Sequence, residues 1–129
     1  MKKNIIDKVK TFEDACQILG LNPDDINFKV PPNSGLESYA NFINASGKLA
    51  IITRCLNEGW KPNWDDNKET KYYPWFEMKT VLGFGLDVVN AYDWYSTVSS
   101  RLCFKDKKLC EYATKQFKDI YEAYMLNSK

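Results

Sequence analysis

The side chains best suited to do chemistry in this chain lie between Trp60 and Arg101, where rings and cations are interleaved. Trp60, Lys61 and Trp64 are followed by Lys71, Tyr72, Tyr73 and Trp75, with Lys79 and Arg101 beyond them. Large aromatic rings bury much area and also make good contact surfaces. Trp, Tyr and Arg are the residue types that tend to anchor interfaces. Trp64, Tyr72, Tyr73 and Trp75 therefore form the candidate contact surface, with Lys71 and Arg101 at its rim. In the leading expectation, a non-enzymatic protein-interaction module, this surface docks a protein, including a second copy of the chain through an edge strand. In a second use, the rings line a pocket for a small ligand or nucleotide, with Arg101 inside it. The plain alternative is a hydrophobic core. Asp65, Asp66, Glu69 and Glu77 fall in the same stretch and oppose a groove for a polyanion.

Several chemistries are disfavoured by what the chain lacks. It has no histidine. That removes the commonest general base, the Ser-His-Asp and Cys-His arrangements, and most zinc and iron sites. Gly83-Phe84-Gly85 is only a GxG, without the third glycine or helix start of a dinucleotide fingerprint. Asp65, Asp66, Asn67 and Glu69 offer oxygen ligands of the kind hard cations take. Their spacing is not that of an EF-hand loop, and an acidic surface loop is the simpler reading. Cys16, Cys55, Cys103 and Cys110 show no CxxC spacing and read as small buried hydrophobes. A non-enzymatic protein without metal or cofactor is the expectation.

The 129 residues fit one domain spanning the whole chain. At this size a real core is possible without staples. The 18 basic and 17 acidic residues leave a net charge of +1. Only Arg54 and Arg101 are arginines. Near-neutral charge and scarce arginine disfavour nucleic acid as a partner. The first residues carry charge but no apolar leader segment, and no window approaches the roughly 20 apolar residues of a membrane span. The expected compartment is the cytoplasm, where thiols stay reduced.

The elements that would position these residues follow from capping and periodicity. Thr11 opens a helix, capping Asp14, and Gly20 stops it. Asn22, Pro23, Asp24 and Asp25 start a turn or two of a second. Pro31 to Gly35 is a loop. A long helix is expected from about Leu36 to Glu58, weakened in the middle by Ser46 and Gly47 and ended by Gly59. From Lys71 the texture becomes β. Lys71 to Lys79 reads as a strand that Pro74 confines to an edge or a bulge. Gly83 to Leu86, Ala91 to Val98 and Arg101 to Lys105 read as further short strands of an antiparallel meander. Strand alternation places Tyr73 and Trp75 on one face, with Tyr72, Pro74 and Phe76 on the other. Trp94 is expected under the last helix. That helix starts at an Asp106 cap and carries Leu109, Ala113, Phe117, Ile120, Tyr121 and Tyr124 on its apolar face. The expected fold is α+β: N-terminal helices, a small meander of three to four strands, and a C-terminal amphipathic helix packed on the sheet.

The strings KTFEDAC, LNEGWKPNW, KYYPWFE and SRLCFKDKKLCEYATKQFKDIYEAY together resemble a family of short uncharacterised proteins of bacterial prophages, phages and related mobile elements. The resemblance runs from Thr11 to Tyr124 and is weaker between Phe28 and Gly47. It implies a mobile-element origin and a small α+β fold. It carries no catalytic residues onto this chain.

Overall fold

The computed structural model describes residues 4–78, 83–92, 95–96 and 98–126. Five α-helices and one two-stranded antiparallel ladder make up the regular structure among them. The helices are α1 (Ile5–Lys8), α2 (Phe12–Leu19), α3 (Glu37–Leu56), α4 (Lys107–Gln116) and α5 (Lys118–Met125). The strands are β1 (Lys71–Glu77) and β2 (Gly85–Tyr92). The mostly helical character corrects the expected α+β meander of three to four strands.

The N-terminal half follows its capping signals. Thr11 Oγ1 accepts from the Asp14 amide at 3.0 Å, and the Asp14 carboxylate accepts from the Thr11 amide at 3.1 Å. This reciprocal box satisfies two amides that a helix start leaves unpaired. Gly20 closes α2 at φ 72°, and Asn22 caps a single 3-10 turn over Pro23–Asp25. Helix α3 runs unbroken through Ser46 and Gly47. The reason is packing: a Cβ on Gly47 would stand 3.1 Å from a methyl of Ile26. The missing side chain lets the 3-10 segment lie close against α3, which offsets the low helix propensity of glycine. At its far end α3 stops at Leu56, two residues sooner than expected. Glu58 and Gly59 both turn to positive φ (53° and 88°), and the Trp60 amide closes on the Asn57 carbonyl at 3.0 Å.

The β region is smaller than its composition suggests. β1 and β2 pair antiparallel from Lys71–Tyr92 to Glu77–Gly85, with a register shift between Trp75 and Phe76 that leaves residue 87 unmatched. The expected second and third strands are thus largely one, since β2 continues through Ala91 and Tyr92. Residues 93, 94 and 97 of the expected third strand lie outside the described residues, as do Trp94 itself and Lys79. The expected fourth strand reduces to one bridge between Tyr72 and Phe104. Two of its other backbone groups are taken by a side chain. The Asn57 amide donates to the Cys103 carbonyl at 2.9 Å and accepts from the Lys105 amide at 3.0 Å. A side chain that satisfies two backbone groups competes with a ladder for them.

The expected C-terminal helix is two helices meeting at Phe117. Asp106 caps α4 as expected, accepting from the Leu109 amide at 2.8 Å. Near its end the Thr114 hydroxyl sits 3.0 Å from the carbonyls of both Cys110 and Glu111. Such back-bonding bends helices. The bend drops Phe117 into the core, where it is buried with Leu109, Ala113 and Tyr121. The core joins these to Val9, Phe12, Leu49, Ile52, Leu56, Phe84 and Phe104. α3 packs against α2 and α5, and α4 lies on the ladder.

Candidate functional site

A cleft of about 730 Å³ opens where α3 ends. One wall is the outward face of α3: Ala50, Arg54 and Asn57 at i, i+4 and i+7, with Ile51 and Thr53 beside them. Leu19 and Leu21 at the end of α2 form a second wall. The Trp60–Lys61–Pro62 loop and the Ser100–Arg101 turn close the rest. Both arginines of the chain therefore converge on one cavity together with Lys61. Among the described residues, the lining contains three cations and no carboxylate.

The lining is held by its own local chemistry. Asn57 is buried and clamps the 103–105 backbone, so the turn that carries Arg101 is tied to the end of α3. Ser99 enters that turn at φ 68°. The Trp64 indole N–H donates to Ser100 Oγ at 2.6 Å, which fixes the turn from the other side. Gly59 matters twice: its φ is +88°, and a Cβ there would meet the Arg54 guanidinium at 2.9 Å. Glycine meets the first demand without strain and leaves the guanidinium where it is.

Acidic neighbours are occupied elsewhere. Glu58 pairs with Lys105 at 3.6 Å, and Glu69 with Lys71 at 3.7 Å. Among the described residues, Arg54, Arg101 and Lys61 have no ion-pair partner within 4 Å. In the cleft wall, Thr53 is 2% exposed, and its Oγ1 has no hydrogen-bond partner among the described residues. A buried polar atom without a partner costs free energy and needs a physical reason.

The sequence-predicted contact residues divide. Trp64 and Lys71 come together, and Trp64 bonds to Ser100, the chain neighbour of Arg101. Lys71 is 0% exposed, so it belongs to the interior and not to a rim. Its ammonium donates to the Asp66 carbonyl at 2.9 Å and stands 5.2 Å over the Trp64 ring, which in turn reaches the turn before Arg101. Tyr72, Tyr73 and Trp75 do not join them. Tyr73 is buried at 6% exposure, and half-buried Tyr72 makes the bridge to Phe104. Trp75 is 51% exposed. Tyr73 and Trp75 thus differ in burial although strand alternation puts them on one face. Phe76 faces inward, stacked on Phe84 at 4.8 Å and tilted on Tyr121 at 5.2 Å.

The sequence reading missed Arg54, Thr53, Asn57 and the role of Lys61. One signal pointed there: a chain with two arginines has placed both in one cavity. The cysteines are buried and free. Burial pushes the Cys103 thiol up to about 11 and Cys110 up to about 12. A thiol kept protonated at neutral pH is a poor nucleophile. Burial of the Tyr121 hydroxyl raises its pKa as well.

No family model, curated protein or solved structure matches the chain. Among the described residues, no helix is long and apolar enough to cross a membrane.

Proposed function

We propose that the chain is a non-enzymatic small-ligand-binding protein whose cleft takes up an oxyanion. One observation carries this reading: Arg54, Lys61 and Arg101 share a cavity whose lining, among the described residues, has no carboxylate. Like charges gathered without counter-charges repel one another, and an anion relieves that repulsion. Guanidinium forks match phosphate and carboxylate oxygens in pairs. The test is calorimetric titration with inorganic phosphate and with a simple carboxylate at low salt. Saturable binding that weakens in Arg54→Ala and Arg101→Ala supports the reading. Absence of binding to either anion would remove it.

A second reading, a protein-interaction module working through β1, rests on the exposure of Trp75 and Met78 at the end of that strand. Sedimentation of the native chain and of Trp75→Ser at high concentration tests its self-pairing form. The proposal places the chain in the cytoplasm, a compartment supported by its four free cysteines. It also places it in a bacterial mobile element, on the resemblance of LNEGWKPNW, KYYPWFE and SRLCFK.

A further inference from the structure

We infer that the anion is the phosphate of a mononucleotide-type ligand, with its flat ring on the Trp60–Pro62 wall. This inference rests on the oxyanion reading above and adds the ligand class. Charge is the first ground. A phosphomonoester carries about −1.5 to −2 near neutral pH, against −1 for a carboxylate. Three cations in one lining are matched better by the phosphomonoester.

The second ground is the rest of the lining. Leu19, Leu21, Ala50, Ile51, Trp60 and Pro62 are apolar and make up half of it. A bare anion has no use for such a wall, and a ligand with a flat organic body does. Trp60 is half-buried and lines the cavity. Bases stack on such rings whatever their sequence identity. Size agrees, because 730 Å³ lies in the usual range of small-molecule and cofactor sites.

Hydrogen-bond donors supply the third ground. Ser100 Oγ accepts from Trp64 and keeps its own proton to donate. Arg54 and Arg101 add guanidinium N–H donors in the same lining. These donors suit the sugar or phosphate oxygens of the ligand. A free mononucleotide is favoured over a nucleic-acid strand because the cations converge in one cavity. A strand needs a stripe of them. The net charge of +1 points the same way.

The experiment is calorimetric titration of the full chain at low salt. Its probes are adenosine and uridine monophosphates, ribose 5-phosphate, adenosine, inorganic phosphate and a short single-stranded oligonucleotide. The mononucleotides are expected to bind at least about tenfold tighter than ribose 5-phosphate or adenosine. Trp60→Leu should bring them down to the level of ribose 5-phosphate and leave ribose 5-phosphate itself unchanged. Trp60→Phe should restore most of the difference, and circular dichroism melts confirm that each variant folds. Equal affinity for ribose 5-phosphate and the mononucleotides overturns the ring inference while leaving the oxyanion reading standing. Equal weakening of every ligand by Trp60→Leu overturns it too, since Trp60 would then only shape the cleft. An oligonucleotide that binds far tighter, with a steep salt slope, overturns it in favour of a strand. Failure of every phosphate compound to bind overturns the inference, and failure of a simple carboxylate as well removes the oxyanion reading beneath it.

Discussion

Buried Lys71 and the cleft cations Arg54, Lys61 and Arg101 are linked through Trp64, and they are built on opposite terms. Lys71 is fully buried and satisfied: a carbonyl accepts its proton, Glu69 stands 3.7 Å away, and the Trp64 ring faces it. Arg54, Lys61 and Arg101 are exposed in a cavity, with no ion-pair partner among the described residues. The same class of side chain is structural in the first cluster and available for a ligand in the second. What separates them is the counter-groups, not the residue type. A cation that meets its acceptors within its own chain holds a fold together. One that does not is free to hold something else.

The largest effect should come from breaking the satisfied cluster. Lys71→Ala removes the charge and leaves a hole, and should cost about 3–5 kcal/mol in urea unfolding. Lys71→Met fills the space without the charge and should cost distinctly less, because an apolar isostere avoids the desolvation of the ammonium. If both variants unfold like the native chain, Lys71 does not hold the 66–71 loop.

The cleft should respond the other way. Arg54→Ala combined with Arg101→Ala should leave stability within about 0.5 kcal/mol, as exposed substitutions usually do. The same double variant should lower phosphate affinity by at least about tenfold, since each charged hydrogen bond is worth about 1.5–3 kcal/mol. A stability loss as large as that of Lys71→Ala would mean that the arginines are structural.

Trp64 joins the two clusters, so its effect should be intermediate. Trp64→Phe keeps a ring for Lys71 and loses the N–H to Ser100, and should cost about 1 kcal/mol. Phosphate affinity should fall with it, because the turn carrying Arg101 loses one of its ties. Gly59→Ala should cost about 1–2 kcal/mol through its positive φ. It should also weaken binding, because its Cβ would displace the Arg54 guanidinium; an affinity unchanged in titration would detach Gly59 from the cleft.

At neutral pH the smallest effect concerns the thiols. Cys103 and Cys110 have ordinary values of 9.0 and rise to about 11 and about 12 when buried. Their folded pKa values exceed the unfolded ones, so the unfolded chain releases its protons first. The stability they contribute is complete below about pH 9 and is lost as pH climbs toward 11 and 12. Thiolate absorbance should stay absent from the native chain at pH 9 and appear on unfolding.

Local signals in the sequence were legible wherever one residue decides the outcome. The Thr11 cap, the Gly20 stop, the Asn22–Pro23 turn and the Asp106 cap all stand where their chemistry puts them. Pro74 stands in β1 just before the register shift between Trp75 and Phe76, the kind of irregularity that suits a residue without an amide proton. What escaped was non-local. The helix continues through Gly47 because Ile26, 21 residues away, needs the space. The fourth strand fails because Asn57 claims the backbone of residues 103 and 105. The last helix breaks where Thr114 bonds back and Phe117 seeks the core. The same limit applied to the site. The sequence marked Arg101 and Trp64 through their ring-rich neighbourhood. Arg54 lies in a helix whose sequence signals only packing, and the burial that makes Lys71 structural depends on the non-local placement of Trp64 and Asp66.

Calorimetric titration of the native chain and of the Arg54→Ala, Arg101→Ala double variant with one mononucleotide at low salt separates the two kinds of charge most directly. Saturable one-to-one binding by the native chain, weakened at least about tenfold in an equally stable double variant, is the predicted result. Equal binding by both proteins, or none by the native chain, would contradict it.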